Sequence, residues 1–283
     1  MVIAKPRRVS PVRTARTLAS LALLLVAPLA RAEPRPLRLD LPVDVPVTSV
    51  ALAIWGGTAA GKAWLAPTSC GICGPTALDA WARDQLIWED RERAEVGSDL
   101  LAYAVFPVSA VAFTLAASRA NSGSWGQGFN DLLVVTEAVA LSGTVSQLVK
   151  LSVGRPRPFV HYRNFRDPDR RSKADDILSF YSGHTALAFS LTAATSTVAH
   201  LRGERSAPWV LGVGLGAGVV VGWLAVADDK HYLTDVVVGA VVGSAIGWGV
   251  PWLLHRSRGA AAMLGGTARG APTPLPIGFS VSF

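Results

Sequence analysis

Charge is scarce in this chain. Lys, Arg, Asp and Glu make up 17% of its 283 residues, while half are hydrophobic; soluble domains carry about 25% charged residues. With a mean hydropathy of +0.35, the chain falls between a soluble helical protein and a full integral membrane protein. Cysteine is nearly absent as well. Cys70 and Cys73 form one CxxC, and no second ligand pair follows, as a structural zinc site would require. No strand–helix context surrounds the pair to favour a redox motif, so a local disulfide or free thiols remain. Gly-x-Ser-x-Gly does not occur, which excludes a hydrolase nucleophile elbow. No group of His, Cys and carboxylates has metal-ligand spacing, and there is no internal repeat.

Most of the net positive charge lies in the leader. Lys5, Arg7, Arg8, Arg13 and Arg16 precede an apolar run from Leu18 to Ala27, and Ala30-Arg31-Ala32 has the form of a cleavage site. Residues 1–32 are therefore expected to be a signal peptide. The whole chain carries +7; the leader holds six basic residues and no acidic one, which leaves about +1 for the rest. The high pI thus gives no reason to expect a nucleic-acid partner.

Residues 33–97 read as an N-terminal extension that includes the CxxC. Its Pro-rich start, 33–45, reads as extended, and the apolar stretch 46–61 is too short to span a bilayer, which takes about 20 residues. Five stronger apolar segments follow: Leu100–Ser118, Leu132–Val149, His184–Leu201, Pro208–Ala227 and Val236–Leu254. Each is close to spanning length. Gly239, Gly243 and Gly247 suit close helix packing. Arg119, Arg202, Arg205, Arg256 and Arg258 would share one side, marked cytoplasmic by its basic excess. The connectors 150–183 and 228–235 would then face the periplasm of a bacterial-type inner membrane. The 150–183 connector is itself basic and fits that side only if its charges serve a ligand. Glu137 falls mid-segment, about 20 Å along a helix from Lys150, and reads as an interhelical partner. Residues 259–283 form a Gly/Pro-rich tail.

Three short stretches at the ends of these segments carry chemistry. Lys150 and Arg157 supply a point charge and a planar fork, both suited to phosphate oxygens. Ser182-Gly183-His184 opens a helix, whose free N–H groups and dipole favour an anion. His231 and Asp235 share a helix face at i, i+4, so that the carboxylate can hold one ring nitrogen and leave the other to attack.

Lys-x6-Arg-Pro, Ser-Gly-His and His-x3-Asp, in this order between helices, resemble the type 2 phosphatidic-acid phosphatase superfamily, whose fold vanadium haloperoxidases share. The resemblance covers about residues 98–255. It implies an all-α bundle of five or six membrane helices over 98–258. The implied activity is metal-independent hydrolysis of a phosphate monoester or diphosphate, on a lipid, without a cofactor. It also implies His231 as a nucleophile forming a phosphohistidine, Asp235 as its orienting group and His184 as the acid for the leaving oxygen. Lys150, Arg157, Ser182 and Gly183 would bind phosphate. Two positions depart from the pattern. Tyr181 replaces a proline, and Leu224-Ala225 replaces Ser-Arg, removing a phosphate-binding cation; Arg155, Lys230 or a basic residue within 163–173 could take its place. The alternative expectation is a phosphatase-like membrane protein, weakened or inactive, that binds lipid phosphate.

Overall fold

The computed structural model describes residues 36–163 and 173–257. The leader, residues 164–172 and the C-terminal tail lie outside the described residues. The described chain is all-helical, and its one extended contact is an isolated bridge between Leu37 and Arg256. The long helices are α1 (Leu41–Ala60), α2 (Ala77–Leu86), α3 (Arg91–Leu100), α4 (Phe106–Ser122), α5 (Trp125–Val153), α6 (Gly183–Leu201), α7 (Ala207–Ala227) and α8 (Leu233–Leu254). A π-helical turn, Leu101–Val105, joins α3 to α4 without a break.

Helix α6 is the axis of the bundle. Nearly all its residues are buried, and α4, α5, α7 and α8 pack around it. The α8 contact is closest because glycine lines it. A Cβ on Gly243 would lie 2.5 Å from the Ala186 carbonyl oxygen, and one on Gly247 2.5 Å from that of Ser190. Any side chain there would push the two helices apart. At the C-terminal end of α6, Arg202 donates from Nε to Asp131 of α5 at 2.9 Å, and Ser118 of α4 donates to the same carboxylate at 2.6 Å.

Among the described residues, five stretches are long and apolar enough to cross a membrane: Leu41–Ala60, Arg91–Ser122, Trp125–His161, Ala207–Ala227 and Leu233–Leu254. Their outward faces are apolar: Val108, Trp209, Val213, Val219, Val241 and Leu253 are between 63% and 74% exposed. Such a surface suits lipid rather than water.

Two expectations change. Residues 41–45 are helical rather than extended, and α1, at 20 residues, reaches spanning length. Pro42 sits in the first turn, where no N–H partner is lost. Pro46 forfeits one bond inside the helix, yet the chain stays helical along α5, where the Thr144 hydroxyl donates to the Ala51 carbonyl at 2.8 Å. Helix α6, by contrast, is not among the five apolar spans. Its Ser and Thr residues lower its hydropathy and are hidden by the helices around it.

The helices alternate in direction, so one end of the bundle gathers the connector after α1, the α5–α6 connector and the α7–α8 turn. Cys70 and Cys73, bonded as a disulfide, belong to that end. The opposite end holds the start of α1, the α4–α5 and α6–α7 turns and the residues after α8, where Arg38 N–H donates to the His255 carbonyl at 2.8 Å.

Candidate active site

Helix-end geometry brings the three sequence stretches together. Helix α5 ends at Gly154 with φ of 58°, a left-handed C-cap that L side chains disfavour; a Cβ there would also meet Pro67 at 2.7 Å. Lys150 lies in the preceding turn, and the chain leaves through Arg155-Pro156-Arg157. Ser182 caps α6, its hydroxyl accepting from Thr185 Oγ1 at 2.9 Å. His231 lies between α7 and α8, with its backbone N–H on the Ala225 carbonyl at 3.0 Å.

A cavity of about 470 Å³ opens among these elements. Lys62, Lys150, Arg157 and Asp175 line its polar part, with His184, His231 and Gly183; Leu52, Trp55 and Leu187 line its apolar part.

His231 Nδ1 is 2.9 Å from the Ser179 carbonyl oxygen. A carbonyl only accepts, so Nδ1 carries the proton and Nε2 keeps its lone pair. Burial pushes the ring's pKa down to about 3, against the opposing pull of Asp235, which keeps the imidazole neutral. Asp235 is 3.8 Å from Nδ1. Its carboxylate accepts instead from the Ser179 hydroxyl at 2.5 Å, the Tyr232 N–H at 3.0 Å and Arg155 at 2.6 Å. Ser179 therefore couples the two, holding the ring through its carbonyl and the carboxylate through its hydroxyl.

His184 lies across from His231, their ring centroids 6.5 Å apart. Its Nε2 is 2.8 Å from Asp99 Oδ1, and its ring packs against Tyr103 at 4.8 Å between centroids. An ionised Asp99 can only accept, so Nε2 carries a proton there.

Cations surround the remaining space. Lys150 Nζ donates to the Leu178 carbonyl at 2.9 Å. Arg157 reaches Asp175 Oδ2 at 2.5 Å, and Lys62 reaches the other carboxylate oxygen at 2.8 Å. Burial alone would raise the Asp175 pKa; Arg157 and Lys62 outweigh it and hold the carboxyl well below its ordinary value.

The structure brings together His231, His184, Lys150, Arg157 and Gly183 at the cavity wall. Asp235 and Ser182 sit behind it, Ser182 fully buried with its hydroxyl engaged by Thr185. The substitutes considered for the missing arginine lie elsewhere. Arg155 is buried between Asp79 and Asp235, at 2.7 and 2.6 Å, over the Tyr232 ring. Lys230 is paired with Glu95. Of the basic residues within 163–173, Arg163 and Lys173 are not in the cavity lining, and those within 164–172 lie outside the described residues. Ala225 is itself buried, 1% exposed. The third cation at the cavity is Lys62, from the turn after α1. Lys62, Asp99, Asp175 and Ser179 lie outside the three motifs, and nothing in their spacing marked them.

Comparison with known proteins matches residues 131–258 to the PAP2 superfamily. A curated relative, lipid A 1-phosphatase of Porphyromonas gingivalis, is 30% identical over 131 residues, which is 46% of this chain and 24% of that protein. The chain thus spans about a quarter of that relative's length. A solved structure, the transmembrane PAP2-type phosphatidylglycerolphosphate phosphatase from Bacillus subtilis, aligns over 74% of this chain and 94% of its own, with a TM-score of 0.44 and 18% identity. The matched region, residues 131–258, holds all three motifs and is similar to the PAP2 superfamily.

Proposed function

We propose that the protein hydrolyses a phosphate monoester or diphosphate carried by a lipid, through a phosphohistidine on His231. The observation that carries this reading is a neutral His231, proton fixed on Nδ1, beside a cavity lined by three cations and faced by His184. His231 Nε2 attacks phosphorus; the N–P bond forms as the bond to the leaving oxygen breaks. His184, entering as the imidazolium with its Nε2–H held by Asp99, gives that oxygen its other ring proton. Water then attacks the phosphohistidine and loses a proton to the now neutral His184, which releases phosphate and restores neutral His231 and the His184 imidazolium. Lys150, Arg157 and Lys62 stabilise charge on the transferring group, and the Gly183 backbone lets it approach the start of α6.

The apolar wall of Leu52, Trp55 and Leu187 suits a lipid chain. The relative's name makes a lipid A phosphate the first substrate to test. The Cys70–Cys73 disulfide at the cavity end favours an oxidising compartment on that side, hence a cavity facing the periplasm. Because α1 is of spanning length and runs from the remote end to the cavity end, a cavity facing the periplasm starts α1 on the cytoplasmic side, which is at odds with an exported leader.

A second reading, a phosphate-binding protein with a weakened site, follows from Ala225. Phosphate release in detergent from a panel of lipid phosphates, without added metal, separates the two. Release by the wild type that falls at least about a thousandfold in His231→Ala, with acid-labile phosphate trapped on the wild type, supports the enzyme. No release by the wild type, with inorganic phosphate still bound, supports the weakened site.

A further inference from the structure

The end of the bundle remote from the cavity holds a second convergence of ionisable groups, outside the phosphatase reading. Asp44 comes from the first turns of α1, Glu137 from the middle of α5 and His255 from just beyond α8. Glu137 precedes Lys150 by 13 residues, about 20 Å of helix. All three are buried, with 9%, 2% and 2% exposure. Among the described residues, one ligating atom from each lies within 4.8 Å of the others.

The hydrogen bonding leaves this cluster incomplete. His255 Nδ1 is 2.9 Å from the Arg38 carbonyl, so Nδ1 carries a proton and the ring is fixed. That is how protein imidazoles are held when the other nitrogen ligates a metal. His255 Nε2 lies 3.3 Å from Glu137 Oε2, yet neither atom has a hydrogen-bond partner. Asp44 Oδ2 accepts from the Asp40 N–H at 2.8 Å and lies 4.0 Å from His255 Nδ1. With a neutral ring, a nitrogen lone pair and two carboxylates face one another in a buried space. Two uncompensated negative charges there are costly. A proton on Nε2 cancels one, and a divalent cation cancels both.

We infer that Asp44, Glu137 and His255 bind a divalent first-row transition metal, with zinc the best match. One imidazole and two carboxylates suit zinc or manganese better than calcium or magnesium. The separation of Nε2 and Oε2 fits neighbouring ligands with bonds of about 2.0–2.2 Å to one ion. Three protein ligands leave a position for water. The ion would pin the start of α1 to α5 and to the end of α8, far from the reacting atoms, so its role is structural. The ligands are separated by about a hundred residues at each step, which hides them from any spacing rule.

The test is metal content and stability of the full chain in detergent. Chelator-stripped wild type is loaded with Zn2+, desalted and analysed. About one zinc per chain is expected, with a raised melting temperature relative to the stripped protein. Glu137→Gln and His255→Gln should each weaken Zn2+ binding by about a hundredfold or more, while the stripped variants keep the wild-type elution profile. Co2+ loading should add visible absorption that both variants lack. Wild type retaining no more zinc than the variants, or melting unchanged by zinc, overturns the inference and leaves a proton shared between His255 and Glu137. Phosphate release is not a readout here, so failure of the enzyme reading leaves this result unaffected.

Discussion

The two ends of the bundle bury charge in opposite balance. At the cavity end, Lys62, Lys150 and Arg157 face one carboxylate, Asp175. At the remote end, His255 faces two, Asp44 and Glu137. Lys150 and Arg157 at one end and all three groups at the other are buried, where charge is expensive, and each set is short of the opposite sign. The difference shows how one apolar scaffold makes two unlike binding places. Each end fixes its groups with backbone carbonyls, Ser179 under His231 and Arg38 under His255. The sign left in excess decides the ligand: an anion at one end, a cation at the other.

Arg155 offers the most severe way to disturb the cavity end. It bridges Asp79 of α2 and Asp235 of α8 and is 2% exposed. Arg155→Met leaves two buried carboxylates without their cation and should cost about 3–5 kcal/mol of stability. Chemical denaturation in detergent measures this. Arg155→Met with Asp79→Asn should recover part of the loss, because one orphaned charge goes with it. A full loss in the double variant would mean that the guanidinium's packing on Tyr232 matters more than its ion pairs.

That bridge also shows what the sequence could reveal. The motif residues were legible because helix ends are written locally: a cap, a glycine and a histidine in register, or a carboxylate four residues on. Arg155 lies inside the first motif, yet its partner Asp79 lies 76 residues away, and only packing selects it over Asp84 or Asp90. Lys62 and Asp175 meet across 113 residues for the same reason. Pro42 and Pro46 disguise the start of α1. Helix α6 has the length expected of it, and its Ser and Thr residues, which lower its hydropathy, are buried among the other helices. The disulfide, one of two states left open for the CxxC, is formed.

A gentler disturbance exchanges the excess charge at the cavity. Asp175 joins Lys62 to Arg157 through its two oxygens, as two oxygens of a phosphate would. It therefore competes with the ligand for both cations. Lys62→Met should weaken inhibition by inorganic phosphate about tenfold, in line with loss of one charge-assisted hydrogen bond. Asp175→Asn should strengthen it by freeing both cations. Equal weakening in both variants would show the pair to be a structural clasp.

The smallest effect is one of pH, and it belongs to His231. Its folded pKa is about 3 against an ordinary 6.5, because burial opposes the charged ring. Between those values the unfolded chain holds a proton that the folded chain does not. Stability therefore falls as pH falls through that window. From pH 6.5 to 5.5 the loss from this one ring is about 1 kcal/mol. Asp79 and Asp175, whose folded pKa values are lowered, act in the same direction but only nearer their ordinary 3.8, so the two contributions separate on the pH axis. His231→Asn removes the upper one. The melting temperature of the variant relative to wild type should rise steadily as pH falls from 6.5 to 5.5. A difference that stays flat across that range would mean that His231 takes up its proton in the folded protein. The ring would then be charged where the proposed attack needs it neutral, and the phosphohistidine route would have to be given up.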